Sequence, residues 1–311
     1  SSVLWRIGGG AYEVSLEGGL TGISGSEEAI LRAQRGSERY LQRPDADYVQ
    51  VDSSRTSLSG GKATFSVRKI SGAHWLWDAR VDVESPEVTF NDIGRLGTGD
   101  GITPGGSLTY RETVPGNLLL SYSFTVNQNN EWNFGGDKQS TRVGSSAELT
   151  WNNFWTTQAS ANYSLRSQNQ RLTRGGPSMG SPKDWRASLS LRSNPSAETR
   201  WMVGTSYGED ELGGWSGGVN AEMSLVPAPR WQVSFVPSFQ RRVDSRQYVT
   251  FRDGGSPVTY GGRYIFAFID RTTLAIETRL NFTLQPDLNL ELYAQPFAAS
   301  GRFFDFGELE A

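Results

Sequence analysis

The side chains able to do chemistry are few and scattered. The chain of 311 residues holds one histidine and no cysteine, which excludes disulfide frameworks and thiolate metal centres. His74 stands beside Trp75 with no nucleophile elbow expected next to it, so it reads as a polar residue at an interface. Glycine runs at Gly8 to Gly10 and Gly254 to Gly255 lack the strand-to-helix setting of a phosphate loop and read as turns. Carboxylates are plentiful, but spacing singles out no pair that could flank a glycosidic bond. Glu209, Asp210 and Glu211, and the stretch SPEVTFNDIG at 85–94, offer oxygen ligands for Ca²⁺ without the spacing of a calcium loop. The first reads as solvated surface, and the second, with Pro86 and Phe90, as a packed loop. No catalytic, cofactor-binding or metal residue is assigned, and the chain is not expected to be an enzyme.

A different charged set is defined by the elements that carry it. Glu148, Arg166, Arg186, Arg192, Glu222, Glu277, Arg279 and Glu291 fall on the polar side of segments in which apolar and polar residues alternate. The clearest runs from Thr272 to Leu284, with Leu274, Ile276, Leu280, Phe282 and Leu284 on one face and Thr273, Glu277, Arg279 and Asn281 on the other. Period two over thirteen residues predicts a strand. After Gln285, Pro286 and Asp287 the alternation resumes with Leu288, Leu290 and Leu292, which predicts a hairpin. The same unit recurs upstream, back to about residue 62.

Connections alternate in length. Short ones are expected at 71–72, 114–116, 152–153, 194–196, 226–229 and 285–287. Long ones are expected at 85–103, 127–142, 167–184, 208–214 and 253–263. Trp75, Trp155, Trp201 and Trp231 follow short turns, Trp185 and Trp215 follow long ones, and Trp132 is placed inside a loop. Tryptophan favours the level where hydrocarbon meets water, so two rows of them suggest two membrane interfaces. The reading is an all-β, antiparallel, up-and-down transmembrane β-barrel of about 14 to 16 strands, a single domain over 1–311, with the charged set lining its lumen. Residues 24–61 are expected to form a long loop or partial plug, with a short helix in EEAILRAQRGSERYLQRPD (27–45) ended by Pro44.

Composition agrees. Glycine numbers 36 and aromatics make up 12%, mean hydropathy is −0.47, and no run of roughly 20 apolar residues exists to make a helical span. A net charge of −3 without any basic block argues against nucleic acid. The partners expected are membrane lipid and a glycan or oligosaccharide, no cofactor is implied, and oligomeric state is left open. SSVLWRIGGGAYEV has no basic region followed by an apolar one, so the chain is expected to be a mature or excised segment of an exported protein.

Five stretches carry a family resemblance: QRPDADY at 42–48, RTSLSG at 55–60, SPEVTFNDIG at 85–94, NEW at 130–132 and PDLNLELYAQPFAASGRF at 286–303. In these the chain resembles an uncharacterised bacterial outer-membrane β-barrel domain found C-terminal to carbohydrate-binding family 9-like modules in large exported proteins. The resemblance implies a Gram-negative outer-membrane location and a sugar-linked context supplied mainly by the preceding module. It also implies strands beyond FFDFGELEA, and it carries no catalytic residues over. The function expected is that of a channel, uptake component or membrane anchor. The alternatives are a soluble β-sandwich or propeller that binds carbohydrate and an outer-membrane glycan hydrolase. Strands running past ten residues, against the usual 5 to 6 of a sandwich, favour the first.

Overall fold

A computed structural model describes residues 1–89, 99–228, 230–285 and 287–309. Alternating segments become strands: β1 (Ser2–Ile7), β2 (Tyr12–Ser24), β3 (Ser57–Lys69), β4 (Trp75–Glu84), β5 (Gly101–Glu112), β6 (Leu119–Trp132), β7 (Lys138–Trp151) and β8 (Thr156–Ser164). Two short strands follow, β9 (Ser167–Asn169) and β10 (Met179–Ser181), then β11 (Asp184–Arg192), β12 (Thr199–Asp210), β13 (Trp215–Ala228), β14 (Trp231–Asp253), β15 (Gly262–Gln285), β16 (Leu288–Ala294) and β17 (Phe297–Glu308). β9 and β10 pair with each other, and the other fifteen form one antiparallel sheet in chain order. β16 and β17 lie end to end along β15, joined where Ile276 donates its N–H to the Pro296 carbonyl at 3.0 Å. Among the described residues the sheet is open rather than closed, because β1 is bonded only to β2 and the β16–β17 edge only to β15.

Register shows how the sheet is sheared. One row of cross-strand partners runs Trp75, Tyr110, Phe124, Ala147, Ala159, Leu189, Thr205, Val219, Phe239 and Leu274. It starts at the first residue of β4 and ends eleven residues from the last residue of β15, Gln285, having crossed nine strand pairs. At ~3.3 Å per residue and ~4.8 Å between strands, that stagger tilts the strands by about 40° from the normal to the rims, a slope within the range of closed barrels.

The connections fall on two rims. The short rim holds the turns after β1, β3, β5, β7, β11, β13 and β15, and the long rim holds the others except the β16–β17 junction, which lies midway along β15. Three connections expected to be long are tight, because the strands run on: β6 and β7 leave only 133–137, with Trp132 closing β6 instead of lying in a loop, and 211–214 and 254–261 suffice for the next two. β14 and β15, at 23 and 24 residues, are the tallest strands. Bulges between Asp244 and Gln247 and between Tyr248 and Thr250 shift the pairing, which hid their upper halves from a period-two reading.

The long-rim loops form a cap. The helix α1 (Glu27–Arg35) starts where the Ser26 hydroxyl accepts from the Ala29 N–H at 3.3 Å, with Glu27 and Glu28 in its first turn and Arg32 and Arg35 in its last. It stops at Gly36, eight residues before the Pro44 expected to end it. The fully buried apolar side chains Ile30, Leu41, Leu58 and Val88 gather here. Segment 85–89 lies so close over β3 that a Cβ at Gly60 would overlap the backbone of Val88. Phe90 and the rest of 90–94 fall outside the described residues. Gly175 packs against Gln42, and Gly176 against the ring of Tyr264 on β15. A flat sheet would hold β3 and β15 about 48 Å apart, so these contacts through one cap require the sheet to curve around it.

Candidate functional site

Cross-strand partners share a face, and faces alternate along each strand. The row from Trp75 to Leu274 therefore fixes the side of every neighbour. Trp75, Trp185, Trp201, Trp215 and Trp231 lie on its face by register, and Trp155, just before β8, joins them with its ring 5.0 Å from that of Trp201. Rings cluster at both ends of this face: Trp231 on Phe282 at 4.1 Å and Trp75 on Tyr110 at 5.0 Å at the short rim, Trp185 on Tyr207 at 5.8 Å toward the long rim. Between them Leu189, Val203, Val219, Phe239 and Leu274 are about half exposed. From Trp215 to Met223 the chain advances about 26 Å, or about 20 Å of height at the ~40° tilt. Arg241 paired with Asp270 at 2.8 Å sits at the level of Trp215, at the end of the apolar span.

The opposite face is polar. Glu148, Arg186, Arg192, Glu222, Glu277, Arg279 and Glu291 all fall on it by register. Glu148 accepts from Gln158 at 2.8 Å, Arg192 meets Glu222 at 3.6 Å, and Arg279 meets Glu277 at 2.7 Å. Between the charges lie hydroxyls, with Ser160 and Ser188 at 2.8 Å and Thr109 and Thr125 at 2.8 Å. Two adjoining hollows of about 490 and 300 Å³ share Glu148, Gln158, Ser188 and Ser190 in their walls. Arg166 differs from its expected place: it lies two residues beyond β8 and holds Glu211 in the next loop, with Nε 2.6 Å from the carboxylate.

A third set, which sequence reasoning missed, binds the cap together. Asp100, 1% exposed and at φ +66°, receives Arg43 at 2.6 Å, the Tyr48 hydroxyl at 2.6 Å, Gln170 at 3.2 Å and the Phe134 N–H at 3.0 Å. Asn133 donates onward to Gln170 at 2.9 Å. Four long-rim loops thus meet on one carboxylate. Burial first, then the hydrogen bond to Asp100, pushes the Tyr48 phenol well above its ordinary pKa. Arg39 donates to the Ala33 and Val88 carbonyls at 3.2 and 3.0 Å, and Arg55 forks onto Glu87 at 2.6 and 2.9 Å. The signal available was the arginine-rich stretch around QRPDADY, but the partners lie 57 and 127 residues from Arg43 along the chain.

The remaining candidates take structural places. His74 stacks on Tyr110 with ring centres 5.5 Å apart, and its Nδ1 lies 3.1 Å from the Arg111 carbonyl. The G-x-S-x-G pattern does occur, around Ser178, Ser206 and Ser216, but none of the three serines precedes a helix. Gly8, Gly9 and Gly10 all have positive φ in the β1–β2 turn. The acidic triplet is dispersed: Asp210 accepts from the N–H groups of Leu212 and Gly214 at 2.9 Å, and Glu211 answers Arg166. Its hydrogen bonds from Arg166 bring Glu211 down to about 2 against desolvation. Among the described residues no group of three or more His, Asp or Glu side chains could hold a metal ion.

These features define an all-β protein made of one sheared antiparallel sheet, with an exposed apolar face, a polar face and a loop cap over one rim. The chain belongs to the family described as a domain of unknown function, DUF5916, which matches residues 28–311. No curated protein matches it.

Proposed function

We propose that this chain builds an integral outer-membrane β-barrel whose polar face lines a water-bearing interior and whose cap covers one mouth. The observation that carries the reading is the apolar face. A continuous exposed band of Leu, Val and Phe, bounded by tryptophan at both ends, far exceeds the patches water-soluble monomers tolerate and runs about nine residues along a tilted strand, the length with which such a strand crosses a bilayer. No helix among the described residues is long and apolar enough to cross a membrane, and in this reading the strands cross it. The shear supports closure at the usual barrel tilt. A soluble sandwich would need a second large sheet over one face, and the only other sheet described is the β9–β10 pair.

Within this reading the chain serves as a channel or uptake component for hydroxylated solutes, oligosaccharides included, which the serine- and amide-lined hollows can hydrogen-bond. If the cap does not yield, the same barrel is an anchor. The test is purification of the chain with and without detergent, followed by gel migration before and after heating. A folded, heat-modifiable species found only in detergent is expected, and a monodisperse folded product in plain buffer would sink the proposal. Single-channel recording in a planar bilayer then separates roles: steady steps blocked by an oligosaccharide mark the pore, silence the anchor.

A further inference from the structure

On the polar face one register row joins Arg186, Gly208, Ser216, Arg242, Arg271 and Gly301. Arg186 lies across β12 at Gly208, where a Cβ would overlap the Trp185 carbonyl oxygen and press on the Arg186 Cα and Cβ. Arg186 then reaches Ser216 on β13, its Nη2 3.0 Å from the hydroxyl. Arg242 and Arg271 are direct cross-strand partners, a like-charge pairing that costs stability, and they share a single carboxylate, Asp244, at 2.9 and 3.5 Å. Both guanidinium side chains remain nearly half exposed.

Elsewhere on this face Arg192, Arg279 and Arg80 each have a carboxylate of their own, Arg6 and Arg68 share Glu13, and Arg142 and Arg200 donate to serine hydroxyls. Here Arg242 and Arg271 share one carboxylate, and Arg186 holds a hydroxyl instead. The neighbouring row toward the long rim carries Asp184, Asp210 and Arg246. Asp210 is taken up by the Leu212 and Gly214 N–H groups and by the Ser245 hydroxyl at 2.7 Å, so it is committed to a turn. Arg246 donates to Ser181 at 3.0 Å, while its Nε is buried with no acceptor. A cavity of about 180 Å³ is lined by Arg186, Arg242 and Arg246 together with Asp184, Asp210 and Asp244, and Arg271 lies beside it rather than in its wall.

The geometry points to an oxyanion-binding site on this row, one that takes the carboxylate or sulfate group of a solute. Paired guanidinium forks match two oxygens of such a group, and Asp244 acts as the internal stand-in that a ligand displaces. The inference deepens the pore reading and rests on it for the solute's route, but binding itself needs no conduction.

The experiment titrates sodium sulfate and, separately, sodium glucuronate into the detergent-folded full chain, with ionic strength held constant by sodium chloride, and follows heat. Saturable binding is expected for at least one. Binding of both marks any oxyanion, and preference for glucuronate marks a carboxylated sugar. Arg242→Gln with Arg271→Gln should weaken it by about tenfold or more, the worth of one charge-assisted hydrogen bond. Asp244→Asn should tighten it, because the competitor is gone. Arg186→Gln alone, whose side chain is exposed and off the Asp244 pair, provides a second loss variant. Equal affinity in the wild type and all arginine variants, weaker binding in Asp244→Asn, or no saturable heat from either salt would overturn the site. Chain that folds in plain buffer yet binds both salts would sink the pore and keep the site.

Discussion

The cap and the polar wall use the same residue types in opposite ways. In the cap, Arg43 and Asp100 are each 1% exposed and surrounded by fixed donors. On the wall, Arg192 and Glu222 face each other at 3.6 Å with 54% and 38% of their side chains open. A buried pair is costly to form and far costlier to break, since the survivor is left charged without a partner. An exposed pair is screened and contributes about 0 to 1 kcal/mol. The cap is therefore a lock held by charge, and the polar face, the wall of the proposed pore, is a solvated surface whose ion pairs hold little in place.

Breaking the lock should have the largest effect. Asp100→Ala strands the Arg43 guanidinium and frees Tyr48, Gln170 and the Phe134 N–H, and should destabilise the cap by about 3 to 5 kcal/mol. Limited proteolysis within 36–56, compared with the wild type, reads that loss. If Arg192→Ala opens the same segment equally, the contrast between cap and wall fails. Next in size is Val219→Arg, midway along the apolar face, expected to cost about 2 to 4 kcal/mol of folding into bilayers. Ser188→Arg on the polar face should cost much less, and equal costs would mean that the assignment of faces is wrong.

What was legible in the sequence follows from what each region is made of. The wall is built from period-two strands, so local alternation alone sorted Glu277 from Ile276 and Glu148 from Ala147, and the short turns fell close to their expected places. Where bulges break the period, as in β14 beyond Asp244, the strand was lost to view. The extents of β6 and β7 were underestimated because Asn127 to Asn130 and Ser140 to Arg142 are polar on both faces. The cap left almost no local signal. Its carboxylate is Asp100 and its donors are Arg43, Tyr48 and Gln170, brought together only by the curvature of the whole sheet. Whether the sheet closes was not legible either, since pattern gives strands and faces but not the partner of an edge, and the described strands leave both edges open.

The smallest effects lie on the wall and in the exposed loops, and they sharpen the contrast from the other side. Glu277→Gln leaves Arg279 half in solvent, so folding should change by no more than about 1 kcal/mol, while ion selectivity in a planar bilayer shifts toward anions. Arg166→Gln tests an exposed pair by titration. In the wild type the Arg166 hydrogen bonds hold Glu211 near 2, below its unfolded value of about 4.3. A depressed folded pKa means that the pair contributes stability above the unfolded value, and that this contribution fades as pH falls from about 4.3 toward 2. With Arg166 replaced, only the Lys183 N–H, 3.1 Å from the carboxylate, and the Lys183 charge remain, and Glu211 should titrate closer to an ordinary glutamate in a carboxyl-carbon NMR titration. A Glu211 that still titrates near 2 in that variant would show that Lys183, through its N–H and its charge, sets the Glu211 titration, and this exposed pair would then be ornamental in a way that Arg43 and Asp100 are not.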